Sequence, residues 1–287
     1  MDGYLSIREL AALALPTGAE EGLFLMAEVI TLKRRPFFSL KGFFDDSGTH
    51  ADSDIVVVGG LIGTVTQWEQ FETAWTAKLA APLPGKSPLR MFHLSHCAAG
   101  DGEFKGYSEP ERDAITHDFR KIIIDTKLTS IASAVDCKAW DELVIGPYRQ
   151  VLGEAVDICA ENCVTETIRI ADPHPDGDKV ALVFDRGIWT QRLKEITDEY
   201  TLPLGRPRIV SVNFLAVADA LGLQGADIVA TESYWHALRV LRDGFGAPPR
   251  AHLQHYLKNM LSEGLLLDRE AIVSEIGRRG PDGRVRE

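Results

Sequence analysis

Three aspartates stand where a sheet protein would place chemistry. Asp45 lies in Phe43-Phe44-Asp45-Asp46-Ser47-Gly48, Asp185 follows the apolar run Val180-Ala181-Leu182-Val183-Phe184, and Asp227 lies in Gln224-Gly225-Ala226-Asp227-Ile228. Ligands of α/β sheets gather beyond the carboxyl ends of strands. Two such aspartates on neighbouring parallel strands would therefore share a crevice, and an acid from a nearby helix start could complete the group. Carboxylates so close repel one another and stay ionised only when a cation neutralises them. Hard oxygen donors suit Mg²⁺ or Mn²⁺, and two such ions about 4 Å apart can clamp the attacking and leaving oxygens of a phosphodiester. Taken singly, each acid suits a turn or a helix cap just as well.

Other reactive residues add to this set or compete with it. His93, ahead of a glycine-containing loop, could move a proton near neutral pH beside the carboxylates, or be a hydrogen-bonded structural histidine. His93/His96 and His252/His255 are each three apart. On a strand that spacing points to opposite faces, which makes His93/His96 a poor chelate. On a helix it is acceptable for a metal, which favours His252/His255, but no third ligand of the zinc-enzyme type lies nearby in sequence. Cys159 and Cys163 share a helical face, but the four cysteines, with Cys97 and Cys137, form no paired knuckles and read as reduced buried thiols. Lys105 and Arg186 could hold phosphate, whereas Arg192 reads as part of a solvated face. No GxxxxGK[ST] loop, dinucleotide fingerprint or GxSxG elbow occurs, which argues against NTPase, dehydrogenase and α/β-hydrolase chemistry.

The elements that must position these residues follow from pattern. Phe38–Phe44 reads as a strand running into the Asp45–Gly48 turn, and Ile55–Ile62 reads as its hairpin partner. Trp68, Phe71, Trp75 and Leu79 mark one buried helical face rather than a base-stacking platform. Arg90–Leu94 reads as a short third strand. Ser108-Glu109-Pro110-Glu111 starts a helix running to about Thr126, and Leu128–Cys137 is a further strand. A long helix is expected from Pro147 to about Ile170, a loop over Asp172–Gly177, and a buried central strand over Val180–Phe184. Then come a helix over Thr190–Tyr200, a strand over Ile209–Phe214 and a helix over Gln224–Arg242. This order predicts an α/β protein with a ribonuclease-H-like mixed sheet flanked by helices. It forms a single domain over residues 37–262, with an N-terminal extension over 1–36 and a C-terminal helix and charged tail over 263–287. The arginines of that tail, Arg278, Arg279, Arg284 and Arg286, read first as disordered and second as a nucleic-acid tether.

The 287 residues carry 31 Lys+Arg against 42 Asp+Glu, a net charge of −11. With 45% hydrophobic residues and a mean hydropathy of −0.06, the composition is that of a globular chain. The acidity disfavours non-specific adhesion to nucleic acid or anionic membranes. The apolar segment Gly22–Ile30 is too short to span a bilayer and contains Glu28. It lacks the charge order of a secretory signal, so a cytoplasmic location without membrane association is expected.

An ordered set of short motifs resembles the domain of unknown function 3800 family, a bacterial and phage-associated group. The pieces are FFDDSGTH (43–50), the Trp68/Phe71/Trp75 helix, MFHLS (91–95), GEFKGY (102–107), VFDRG (183–187) and ADALGLQGADIVA (218–230). They span about residues 40–257. The resemblance implies a ribonuclease-H-like fold, with the family's acidic motif on Asp45, Asp46, Ser47 and Gly48. Its strand-end aspartate falls on Asp185 and its Gln-x-Ala-Asp motif on Gln224, Ala226 and Asp227. The family's usual second acid is glutamate, and here it is Asp46. The family often carries an acid three residues after the motif histidine, where this chain has His96.

Residues and resemblance together predict a metal-dependent nuclease or phosphodiesterase. Asp45, Asp185 and Asp227 would hold Mg²⁺ or Mn²⁺ with support from Asp46, and His93 would join them in catalysis on a nucleic acid or nucleotide. One alternative is a non-catalytic interaction component of a phage-defence or mobile-element system, reaching a protein partner through residues 1–36. Another is a hydrolase of a small nucleotide. The oligomeric state stays open.

Overall fold

Alternation in the first strand divides the protein into two layers. Within β1 (Leu40–Ser47), Phe43 enters the core on one face of the sheet and Phe44 the core on the other, as the two-residue period of a strand requires. The computed structural model describes residues 40–171, 179–188, 191–201, 208–244, 248 and 262–279. The N-terminal extension, the Asp172–Gly177 loop, His252, His255, Arg284 and Arg286 lie outside the described residues.

β1 turns back into β2 (Ile55–Thr64), which is buried along all but its last residue. The other strands are β3 (Thr129–Asp136), β4 (Val180–Asp185), β5 (Ile209–Leu215) and β6 (Ser262–Leu267). Their order is β5-β4-β1-β2-β3-β6. β1 pairs antiparallel with β2 and parallel with β4, β2 pairs antiparallel with β3, and β4–β5 and β3–β6 are parallel. Among the described strands, only β2 runs against the rest. This mixed sheet, a hairpin entered first and parallel crossovers added afterwards, has the ribonuclease-H-like architecture expected from the sequence.

One face is covered by α1 (Val65–Ala80), α2 (Leu94–Ala99), α3 (Glu109–Asp125) and α8 (Leu221–Asp243). Trp68, Phe71 and Trp75 are fully buried there with Phe92 and Phe119, so this aromatic set is core. α8 lies directly on the hairpin. A Cβ on Gly59 of β2 would stand 2.8 Å from Cα of Ala230, a distance that only glycine tolerates. The other face is covered by α4 (Cys137–Leu143), α5 (Pro147–Leu152), α6 (Ala155–Ala171), α7 (Gln191–Thr201) and α9 (Arg269–Arg278). Cys159 and Cys163 pack there as free thiols with Sγ against the carbonyl oxygens of Val56 and Val58. Burial pushes the Cys159 thiol up to about 12, which disfavours the thiolate that zinc requires.

Four expectations change. Arg90–His93 forms no strand and joins no sheet. The N–H groups of Phe92 and Leu94 bond instead to the side chains of Gln224 and Asp227 on α8. The helix expected from Pro147 to Ile170 is broken into α5 and α6 at Gly153, whose φ is +74°. The side chain of Asp157 caps the new helix by accepting from Glu154 N at 2.8 Å. The segment after residue 262 opens with β6, paired in register with β3 from Ser130↔Ser262 to Val135↔Leu267. Arg279 is also held, with ion pairs to Glu161 and Glu275 at 2.6 Å each, and Arg278 pairs with Glu275 at 2.7 Å. Among the described residues, no helix is long and apolar enough to cross a membrane.

Candidate metal centre

The pairing of β1 with β4 runs in register to Phe44↔Phe184. The next residues, Asp45 and Asp185, therefore leave adjacent parallel strands side by side. Asp46 follows on β1. Asp45, Asp46 and Asp185 each bring a carboxylate oxygen within 4.8 Å of the others. α8, laid across β1 and β2, carries Asp227 to the same place. The cleft of about 370 Å³ is lined by these four aspartates together with His93, Ser95, Thr231, Tyr234 and Trp235.

Local bonds set each side chain. Asp45 Oδ1 accepts the N–H of Asp46 at 2.9 Å. Asp46 Oδ2 accepts from Thr49 Oγ1 at 2.6 Å, and Asp185 Oδ1 accepts from Gly187 N at 2.7 Å. Asp227 Oδ2 accepts from Leu94 N at 2.6 Å, and its Oδ1 lies 3.4 Å from both His93 Nδ1 and Thr231 Oγ1. His93 Nδ1 is also 3.1 Å from Ser95 Oγ, and the His93 and His96 rings stack with centroids 4.6 Å apart.

Asp45 is 5% exposed and Asp227 2%. Burial pushes the Asp45 carboxyl well above the ordinary carboxylate range, and the charges of Asp227, Asp46 and Asp185 push it further. Burial likewise raises Asp46, with Asp185 adding to the effect against the Thr49 bond. Asp227 is raised by burial, which outweighs the opposing influence of His93 and the Leu94 N–H. Such a group binds protons until positive charge replaces them. Its donors are all oxygen, the set preferred by hard divalent cations.

All five residues singled out for chemistry thus reach one cleft. The tightest set is Asp45, Asp46 and Asp185, with Asp227 beside Asp45 and bonded to the His93 strap. Arg186 is exposed just beyond Asp185. Lys105 lies elsewhere, in a depression with Lys86 and Tyr107. The side chain of Arg192 lies outside the described set. Sequence reasoning missed Thr231, Tyr234 and Trp235. Their positions 4, 7 and 8 after Asp227 put them near its helical face, and that spacing was the available signal.

Fold and site together define a ribonuclease-H-like α/β protein with an acidic cleft at the carboxyl ends of its central parallel strands. No family model matches the chain, and no curated protein matches it. Among solved structures it is similar to Bst-RNase HIII in complex with Mn²⁺, at 12% identity and a TM-score of 0.41, over 74% of this chain and 57% of that one. It is also similar to the PCNA:RNase HII complex from Archaeoglobus fulgidus, at 16% identity and a TM-score of 0.37, over 86% of this chain and 94% of that one. The chain thus spans little more than half the length of the first. The fold assignment rests on strand order and direction, not on these likenesses.

Proposed function

We propose that this protein is a metal-dependent phosphodiester hydrolase of the nuclease kind. One observation carries the reading: the buried Asp45 has Asp46 and Asp185 within 4.8 Å at the ends of adjacent strands. Their raised proton affinity and all-oxygen chemistry fit Mg²⁺ or Mn²⁺. Asp45, Asp46 and Asp185 would hold the ion, with Asp227 as a neighbouring carboxylate. A bound ion there would lower the pKa of a water and offset charge on the phosphodiester oxygens.

The chain's own residues supply the rest. Thr49 and Gly187 fix the carboxylates of Asp46 and Asp185 before substrate arrives. Asp227 Oδ1 lies 3.4 Å from His93 Nδ1, and the imidazole lines the cleft and remains 29% exposed, so it can take up or deliver a proton there. Membership of the domain of unknown function 3800 family is part of the proposal. It is supported by where the shared pieces fall: FFDDSG ends β1, MFHLS carries His93, VFDRG ends β4 and LGLQGADIVA opens α8, all at the cleft.

The net charge of −11 favours a second substrate class, a small nucleotide phosphoester. Such a ligand needs only a local site rather than the long cationic track of a polynucleotide binder. The test is cleavage of DNA, RNA and nucleotides with Mg²⁺ or Mn²⁺, comparing wild type with Asp45→Ala and Asp185→Ala. Turnover by wild type alone supports the hydrolase, and the substrate cleaved selects between the two classes. Equal traces from all three proteins would leave the interaction-component reading in its place.

A further inference from the structure

We propose that Gln224 is a positioning residue for this cleft, acting through the backbone on either side of His93. The kinetic consequence rests on the hydrolase reading above; the structural one does not.

Arg90–His93 has no strand partner, yet its backbone is held at two points. Phe92 N donates to Gln224 Oε1 at 2.9 Å, and Leu94 N donates to Asp227 Oδ2 at 2.6 Å. Gln224 and Asp227 are one turn apart on α8 and so share a face. His93 sits between the two bonds in an extended conformation, with φ −137° and ψ 119°. The helix therefore replaces the missing strand and fixes the chain immediately before and after the histidine.

The chemistry of Gln224 supports the assignment. The residue is fully buried, and its Oε1 accepts a second bond, from Trp75 Nε1 at 3.0 Å. One oxygen thus ties α1, the His93 strap and α8 together. Its Nε2 has no hydrogen-bond partner among the described residues. A buried amide left unpaired is penalised, and methionine would fill similar space without that penalty. The side chain is useful here for its acceptor oxygen.

The strap has other anchors. Phe92 packs against Trp75, Phe104 and Phe119 at ring separations of 6.2, 5.7 and 4.2 Å. Loss of the Gln224 oxygen should therefore shift the strap rather than unfold the protein. A displacement of catalytic groups by about 1 Å can cost on the order of 100-fold in rate.

The test uses the full chain with Gln224→Met, Gln224→Glu and Trp75→Phe. Amide hydrogen exchange is read at Phe92 and Leu94, and kcat and KM are read with Mn²⁺ on whichever phosphodiester the wild type cleaves. Gln224→Met should speed exchange at Phe92 and lower kcat by about 10- to 100-fold at nearly constant KM. Gln224→Glu, as the protonated acid that burial favours, keeps the acceptor oxygen and loses no existing bond, so it should stay nearer wild type than Gln224→Met on both readouts. Trp75→Phe removes the other bond to that oxygen and trims one of the three rings packed on Phe92, but leaves the Phe92 N–H bond in place, so kcat should stay closer to wild type than in Gln224→Met. Wild-type kcat in Gln224→Met overturns the proposal, as does an equal fall in all three variants. If the wild type cleaves nothing, the hydrolase reading fails on its own. Exchange at Phe92 then decides whether Gln224 holds the strap: faster exchange in Gln224→Met upholds that placement, and unchanged exchange overturns it.

Discussion

Asp227 meets the His93 strap at two points: its Oδ1 lies 3.4 Å from the ring Nδ1, and its Oδ2 accepts the next residue's N–H at 2.6 Å. Ring and backbone are thus referred to one carboxylate on α8, beside Asp45 at the end of β1. The pair is built from elements more than a hundred residues apart in sequence, and it places an imidazole in the cleft of the candidate cation site.

For His93→Ala, turnover should fall by about 100- to 10,000-fold, the usual worth of a positioned acid or base. Mn²⁺ binding should persist, because His93 is outside the tight Asp45/Asp46/Asp185 set. Calorimetric titration with Mn²⁺ beside steady-state kinetics checks both halves. Loss of Mn²⁺ affinity in parallel with rate would place His93 among the ligands instead.

Asp45→Asn should stabilise the cation-free protein while abolishing activity. The Asp45 carboxyl is raised by burial and by three neighbouring acids. Between the unfolded pKa of about 3.9 and its elevated folded value, the folded state holds the extra proton. Cation-free stability must therefore fall as pH rises through that window. Asparagine removes the penalty, so its melting temperature should exceed wild type at pH 7 by a few degrees. Thermal melts in a chelator decide it, and a lower melting temperature for Asp45→Asn would count against the electrostatic account.

Divalent cation should act most strongly where the carboxylates are ionised. Mn²⁺ at 100 times its dissociation constant stabilises by about 2.7 kcal/mol. At acidic pH protons compete for Asp45, Asp46 and Asp227, all raised by burial. The melting-temperature gain at fixed Mn²⁺ should be larger at pH 8 than at pH 5, and a pH-independent gain would point to a site elsewhere.

Lys41 tests the interior away from the cleft. Burial lowers its pKa from 10.5 to about 7 against the raising influence of Glu72, and its Nζ lies 4.8 Å from the Phe43 ring centroid. Between pH 7 and 10.5 the unfolded chain binds the proton that the folded chain lacks, so stability rises with pH there. Lys41→Met should raise the melting temperature at pH 7 and confer progressively less toward pH 10.5. A gain that does not shrink with pH would assign the effect to packing alone.

How much of this was legible in the sequence depended on where each element's bonds go. The β1–β2 hairpin, the Trp68/Phe71/Trp75 helix and β4 show their periods in the residues that pack them. Asp45 and Asp185 at strand ends followed directly, and register carried them together. The Arg90–Leu94 segment was misread because its backbone is satisfied by Gln224 and Asp227, about 130 residues later in sequence, a pairing that periodicity does not encode. β6 was missed because Ser-Glu-Gly-Leu-Leu-Leu lacks alternation and gains its identity from β3. The close role of Asp46 was hidden by its turn-like context, since only the β1–β4 neighbourhood brings Asp185 to it.

The most direct measurement is anomalous diffraction from crystals of the full chain grown with Mn²⁺. The account predicts a manganese peak bonded to carboxylate oxygens of Asp45, Asp46 and Asp185, absent in Asp45→Asn. A fully loaded crystal with no peak among those three side chains would contradict it.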